Sequence, residues 1–430
     1  MVSVVGRSRP WMLAAVTLGL VSVLGCGSTY RPIVTNIPPV QPAAQPEKFA
    51  VVINCGTGGN ASATSVSTAC NNTGAIGLGS LVDFSGDSIS VRLNLGNGPR
   101  WVGLDLKGTN ALTANADGTI TEFGIGSKVE TNQNYTSTLL PNALPNSLLW
   151  THGGYLYVTE PGRNAIAVLY GQPAAERLEI PIPGAPVNQN PVNLVGNLQS
   201  QRIYAIAQGP TACPNLGSAG TITAIETTTQ TISAVIPAGN CPVYGVMSAD
   251  NRRAFILNQG DGTVTVIDSQ QNVLDRTIPV GSGPVWADIF NTGSILAVVN
   301  SQSNTLSLID ISLDAYGNDS PDFGKILGTV AVGANPVSVS VLQDGTRAYV
   351  ANQGDGTVSV VSLTSFQLLT TIPVVGHPIS IAATTGTPTG KVYAVSPDSN
   401  MLTIIRTDSD TVSNSLQLTG TGVQVRVSAP

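Results

Sequence analysis

The amino-acid sequence predicts an all-β chain, a β-propeller built from four-stranded blades. Three observations carry that expectation: a turn-rich, strand-forming composition, a repeat of forty-odd residues, and two incomplete ends of the repeat array that complete each other. The 430 residues include 46 Gly and 28 Pro, and only 10% are charged. Abundant Val, Ile and Thr with frequent turn formers suit strands and hairpins. A chain this long either divides into domains or repeats a small unit, and here it repeats.

The repeat shows most clearly in three segments, Asn258-Gln-Gly-Asp-Gly-Thr-Val-Thr-Val-Ile-Asp268, Asn300-Ser-Gln-Ser-Asn-Thr-Leu-Ser-Leu-Ile-Asp310 and Asn352-Gln-Gly-Asp-Gly-Thr-Val-Ser-Val-Val-Ser362. Each pairs a polar Gly or Asn turn with alternating apolar and hydroxyl residues, the signal of a hairpin. A short strand such as Asp275–Val280, a Gly-x-Gly-Pro connection and another apolar strand such as Val337–Val341 complete the unit. One repeat therefore supplies four strands.

The residue just before the third strand falls at Gly118, Asn164, Gly220, Gly262, Asn304, Gly356 and Asn400, with spacings of 46, 56, 42, 42, 52 and 44. An eighth anchor fits at Gly79, after the strand Phe49–Ile53 and before Ile89–Leu93. That first unit lacks its innermost strand, while the chain ends on Val423-Gln-Val-Arg-Val427 with nothing to follow. Pairing these two ends removes every open edge. Eight blades result, closed by the C-terminal strand; seven is the alternative if the region before Arg100 packs differently.

The N-terminus precedes this array. Arg7 and Arg9 lead into the apolar run Trp11–Leu24, short for a bilayer span and matched to the core of a secretory signal. Val23-Leu24-Gly25-Cys26 resembles the bacterial lipobox. That resemblance implies a signal peptide over 1–25, a diacylated Cys26 as first mature residue and, because Gly27 and not Asp follows, the outer membrane of a Gram-negative cell. Residues 26–47 hold Pro32, Pro38, Pro39, Pro42 and Pro46 and read as an extended tether, roughly 3 Å per residue and about 60 Å in reach. The propeller occupies 48–430. Removing 1–25 deletes two arginines and no acid, so the formal charge moves from −6 to −8, which argues against nucleic acid as a partner.

The copies around Tyr349-Val-Ala-Asn352 and Ile278-Pro-Val-Gly-Ser-Gly-Pro-Val285 resemble the YVTN-type β-propeller repeat, well over about 95–418 and weakly before. The signature itself varies, to Tyr157-Val-Thr-Glu160 and Tyr204-Ala-Ile-Ala207. The resemblance implies the fold and an envelope or surface-layer setting. Similar folds also carry lactonases and quinone- or haem-dependent enzymes, so activity does not follow from it.

Four cysteines remain after Cys26, an even number that suits disulfides in an exported chain. In a four-stranded blade the second-to-third turn and the blade-to-blade connection share one face. Cys55 and Cys70 share one such loop, and Cys213 and Cys241 lie in a loop and a connection of neighbouring blades. Local pairing, Cys55–Cys70 and Cys213–Cys241, is expected on that face. A cysteine metal site lacks Cys-x-x-Cys spacing and a nearby histidine.

Catalytic signatures are missing from the sequence: no Gly-x-Ser-x-Gly, His-Glu-x-x-His, phosphate loop or Cys-x-x-Cys-His occurs. His152 and His377 fall on opposite faces and read as loop residues. The Asp-Gly-Thr triplets at Asp117, Asp261 and Asp355 supply one carboxylate per blade, fewer than calcium needs, and read as turns. No metal or cofactor is expected.

One pattern exceeds this background. Two residues past the connection proline stand Trp101, Ser147, Asn193, Tyr244, Trp286, Ser338 and Ser380, near one mouth of the channel, with half of the chain's four tryptophans among them. Blade-to-blade packing is one reading; a ligand face of Trp101, Tyr244 and Trp286, flanked by Arg100 and His377, is the other. The functional expectation is a lipid-anchored, non-catalytic binding or scaffolding protein of the cell envelope. Its partner would be an envelope protein or glycan at the loop-rich face, with membrane contact through the lipid alone. A lactonase-like hydrolase and a surface-layer subunit are the alternatives.

Overall fold

A computed structural model describes residues 48–428 except positions 57, 71, 106–107, 127–133, 152, 185–188, 197–199, 211–212, 214–218, 290–293 and 385–389. The signal peptide, Cys26, the tether and His152 lie outside the described residues. Eight antiparallel four-stranded sheets form the blades of a β-propeller. Blade five is representative, with inner strand Pro242–Met247, then Arg253–Asn258, Thr263–Asp268 and outer strand Val273–Pro279.

Closure follows the expected scheme. The last strand, Thr421–Val427, pairs with the first, Phe49–Cys55, in the register Ile53 to Gln424, Val52 to Val425 and Val51 to Arg426. It becomes the inner strand of blade one. The third strand of that blade begins at Gly77, two residues before the expected anchor at Gly79. The difference has a steric origin: a Cβ at Gly77 would sit 2.0 Å from the Gly96 carbonyl oxygen, so glycine lets the strand extend under the connection.

Apolar alternation on both sheet faces places the core between blades. Eight apolar clusters each join neighbouring blades, such as Phe255, Val264 and Val266 of blade five with Leu296 and Val298 of blade six. Tyr157, Tyr204, Tyr349 and Tyr393, in the second strands, are among the largest fully buried side chains. Tyr204 reaches the next blade and donates its hydroxyl to Asn272 Oδ1 at 2.9 Å, and Tyr349 likewise donates to Asp410. Tyr204 and Tyr349 thus stitch adjacent blades together at their polar ends.

Second-to-third turns and blade-to-blade connections emerge together on what is here called the connection face. The Asp of the Asp-Gly-Thr turns serves that face: Asp117 accepts the Asn97 N–H at 2.7 Å, and Asp261 accepts the Asn240 N–H and side-chain amide at 2.6 and 2.7 Å. Each carboxylate ties its turn to the preceding connection. Both disulfides lie on the connection face as expected, Cys55–Cys70 with Cα atoms 5.7 Å apart and Cys213–Cys241 with 5.6 Å. Such crosslinks fit an oxidising, extracellular or periplasmic compartment. No helix among the described residues is long and apolar enough to cross a membrane.

Candidate binding site in the central channel

Each inner strand starts at the connection face and runs along the channel wall, so equivalent residues form rings at successive depths. The third position carries the seven expected residues plus Gln424 from the closing strand. Gln424, Ser380, Asn193 and Ser147 bond within the wall. Gln424 Oε1 accepts the Val102 N–H at 2.8 Å, Ser380 Oγ accepts the Val425 N–H at 3.2 Å, and Asn193 Nδ2 donates to Ser147 Oγ at 3.3 Å.

The three large members meet in the lumen. Tyr244 and Trp286, from neighbouring blades, stack with ring centroids 4.1 Å apart and planes 13° from parallel. Trp101 comes from blade two, across the ring, and leans on them at 6.4 and 5.9 Å. Only side chains of this size bridge the lumen, and tilted aromatic pairs of this spacing each contribute about 0.5–1.5 kcal/mol beyond buried area.

Two charged groups stand at the fifth position, one layer deeper. The guanidinium of Arg426, on the closing strand, lies 5.3 Å from the Trp101 ring centroid and 5.4 Å from that of Trp286. Burial raises the pKa of Tyr244, and Arg426 opposes the shift by its charge and by donating to the phenol oxygen. Asp288 accepts the Val341 N–H of the next blade at 2.9 Å through Oδ2 and the Ile289 N–H at 2.9 Å through Oδ1. Burial pushes its carboxyl up to about 6, with these N–H groups and Arg426 opposing.

Beside the aromatic layer is a cavity of about 350 Å³. Its lining comes from the third to sixth positions of the inner strands and includes Trp101 and Trp150, so two of the chain's four tryptophans border it. First and second positions contribute nothing to the lining, which places the cavity on the side of the rings away from the connection face.

The structure therefore brings Trp101, Tyr244 and Trp286 together and leaves the expected flanking residues apart from them. Arg100, at the second position, is half-buried, and loss of solvent lowers its pKa. It does not line the cavity. His377 sits on the connection into blade eight, with Nδ1 2.6 Å from Asp398 Oδ2 and its N–H bonded to Oδ1 at 2.8 Å. Burial tends to raise the Asp398 pKa, but these bonds hold it below the usual value. The Cys55–Cys70 loop, with its short helix Val66–Ala69, packs against Val423, Ile379 and Val337, second-position residues of three inner strands. It covers inner-strand ends on the connection face.

Arg426, Asp288 and Trp150 were not anticipated. Aligning the closing strand with the other inner strands would have found the first two: the fifth position reads Gly103, Leu149, Val195, Val246, Asp288, Ser340, Ala382 and Arg426, with two charges. Trp150 follows one residue later in blade three.

No protein-family model matches the sequence, and no curated protein matches it. Solved structures do resemble the fold. AztD from Citrobacter koseri aligns with a TM-score of 0.58 at 10% identity, over 88% of this chain and 98% of that one. A functionally unknown protein from Desulfotomaculum acetoxidans gives 0.52 at 13% identity, over 89% and 99%. Hydrazine synthase of Kuenenia stuttgartiensis gives 0.51 at 15%, over 74% and 95%. At such identities the likeness speaks for the propeller fold alone.

Proposed function

We propose that this chain is an exported, lipid-anchored β-propeller of the bacterial cell envelope, built from YVTN-type repeats and acting as a non-catalytic binding protein. The observation that carries the reading is the aromatic layer and the adjoining cavity of about 350 Å³ in the channel. A concave site that combines apolar wall with a few convergent polar groups is the usual form of a ligand site. The lipobox at Val23–Cys26 supports the anchor, and the two local disulfides support export. Two crosslinked loops stiffen the connection face, and an envelope protein or glycan is the proposed partner there.

The binding reading is tested by capture from the native envelope with the wild-type chain and the Trp101→Ala/Trp286→Ala variant. Loss of the captured molecule, with the far-UV circular dichroism of the fold retained, is expected. Normal capture by the folded variant would assign these rings to packing alone. For the anchor, Cys26→Ser is expected to move the protein from the membrane to the soluble fraction; retention in the membrane overturns that part.

A further inference from the structure

We propose that the channel cavity binds a small amphipathic carboxylate, with its acid group on Arg426 and its apolar body along the cavity wall. This rests on the reading that the cavity is a binding site, and it names the ligand class.

Three aromatic rings gathered around one point ordinarily make a cage for a cation, because π faces attract positive charge. In this channel the chain fills its own cage. The Arg426 guanidinium lies against Trp101 and Trp286. An incoming cation would meet an occupied site and a like charge, whereas an anion meets a donor group already oriented by the rings.

A guanidinium offers five N–H donors in a planar fork. Arg426 is half-buried and borders the cavity, which puts its fork within reach of a ligand there. Carboxylates match this fork in two-point contact. Asp288, the other charged group in the lining, has both oxygens engaged by backbone N–H groups.

One layer past the charged pair the lining holds the apolar Leu104, Trp150 and Ile289, and Leu194 and Val246 add apolar wall beside that pair. A purely polar anion would leave these walls against water. The volume falls at the low end of small-molecule pockets, roughly 300–1,000 Å³, which suits a short acyl or arylalkyl acid.

Tryptophan fluorescence reads this site directly, since Trp101 and Trp150 border it and Trp286 packs on Trp101. The folded chain is titrated at pH 7 with decanoate and with decyltrimethylammonium, equal in chain length and opposite in charge. Decanoate is expected to give a saturable change and to bind at least about tenfold more tightly than the cation. Arg426→Gln is expected to weaken decanoate by about tenfold or more and to admit the cation.

Equal or tighter binding of the cation to the wild type overturns the assignment, as does unchanged decanoate affinity in Arg426→Gln. Should that variant fail to fold, the wild-type preference between the two probes decides. If neither probe binds, the carboxylate assignment falls. The binding reading then stands or falls separately, on whether native mass spectrometry finds a molecule that co-purifies with the wild type and not with Trp101→Ala/Trp286→Ala.

Discussion

Blades two, five, six and seven end their second strand on a buried asparagine, whereas blade three ends it on Glu160. In the first group the amide donates to two hydroxyls of the third strand. Asn258 Nδ2 reaches Thr263 Oγ1 and Thr265 Oγ1 at 3.0 and 2.8 Å, and Asn300 and Asn352 repeat this with Thr305 and Ser307 and with Thr357 and Ser359 at 2.9–3.1 Å. Asn115 does the same with Thr119 and Thr121, both at 3.1 Å. The alternating hydroxyls of the repeat are therefore half of an internal latch.

Blade three has lost both halves. Its third strand opens Ala165-Ile-Ala167, and Glu160 is fully buried with neither carboxyl oxygen hydrogen-bonded. Burial, then the charges of Glu176 and Glu179, raise its pKa to about 8; Arg163 opposes this weakly from 3.9 Å because Glu179 engages it at 2.6 Å. A position in the strand can thus exchange one buried polar group for another only if its partners change with it. Otherwise the group keeps its proton.

The largest effect expected from this difference is in pH dependence. A folded pKa near 8, above the value of about 4.5 in the unfolded chain, means that the native state binds the extra proton between those limits. Stability from this group is full below about pH 4.5 and is lost as pH rises toward 8, by up to about 1.4 kcal/mol per pH unit. Glu160→Gln removes that loss, so the variant gains over the wild type between pH 5 and 9 in urea denaturation. Parallel curves for the two proteins would mean that Glu160 is not the proton holder.

Next in size is the cost of opening a latch. Asn352→Ala deletes two interior hydrogen bonds and leaves Ser359 Oγ with the Gly333 N–H alone, for an expected loss of about 2–3 kcal/mol with little change in the urea slope. A loss below about 0.5 kcal/mol would reduce the latch to incidental contact. The smallest effect separates the blades by coupling. A double-mutant cycle of Asn352→Ala with Ser359→Ala should give about 1 kcal/mol of interaction, whereas Glu160→Gln with Arg163→Ala at pH 6 should give less than about 0.5 kcal/mol. Equal couplings would erase the distinction.

How much of the molecule is legible in its sequence follows the same division. The hydroxyl alternation in Thr263-Val-Thr265 is a strand signal, and the strand is there, but its bond to Asn258 is invisible without the fold. The ring of Trp101, Tyr244 and Trp286 was legible because one residue per repeat shares one depth. Arg426 was not, because its strand is covalently last and structurally first.

By itself the sequence determined the eight four-stranded blades, the pairing of the chain ends and both disulfides, since these depend on period, turn chemistry and short-range topology. Only the tertiary structure decided that three rings from blades two, five and six converge, that Arg426 rests against two of them, and that the cavity lies on the side away from Arg100 and His377. The physical reason is closure: bending the repeat into a ring brings residues more than three hundred positions apart, such as Trp101 and Arg426, within contact, and no local pattern encodes which side chains then share the lumen.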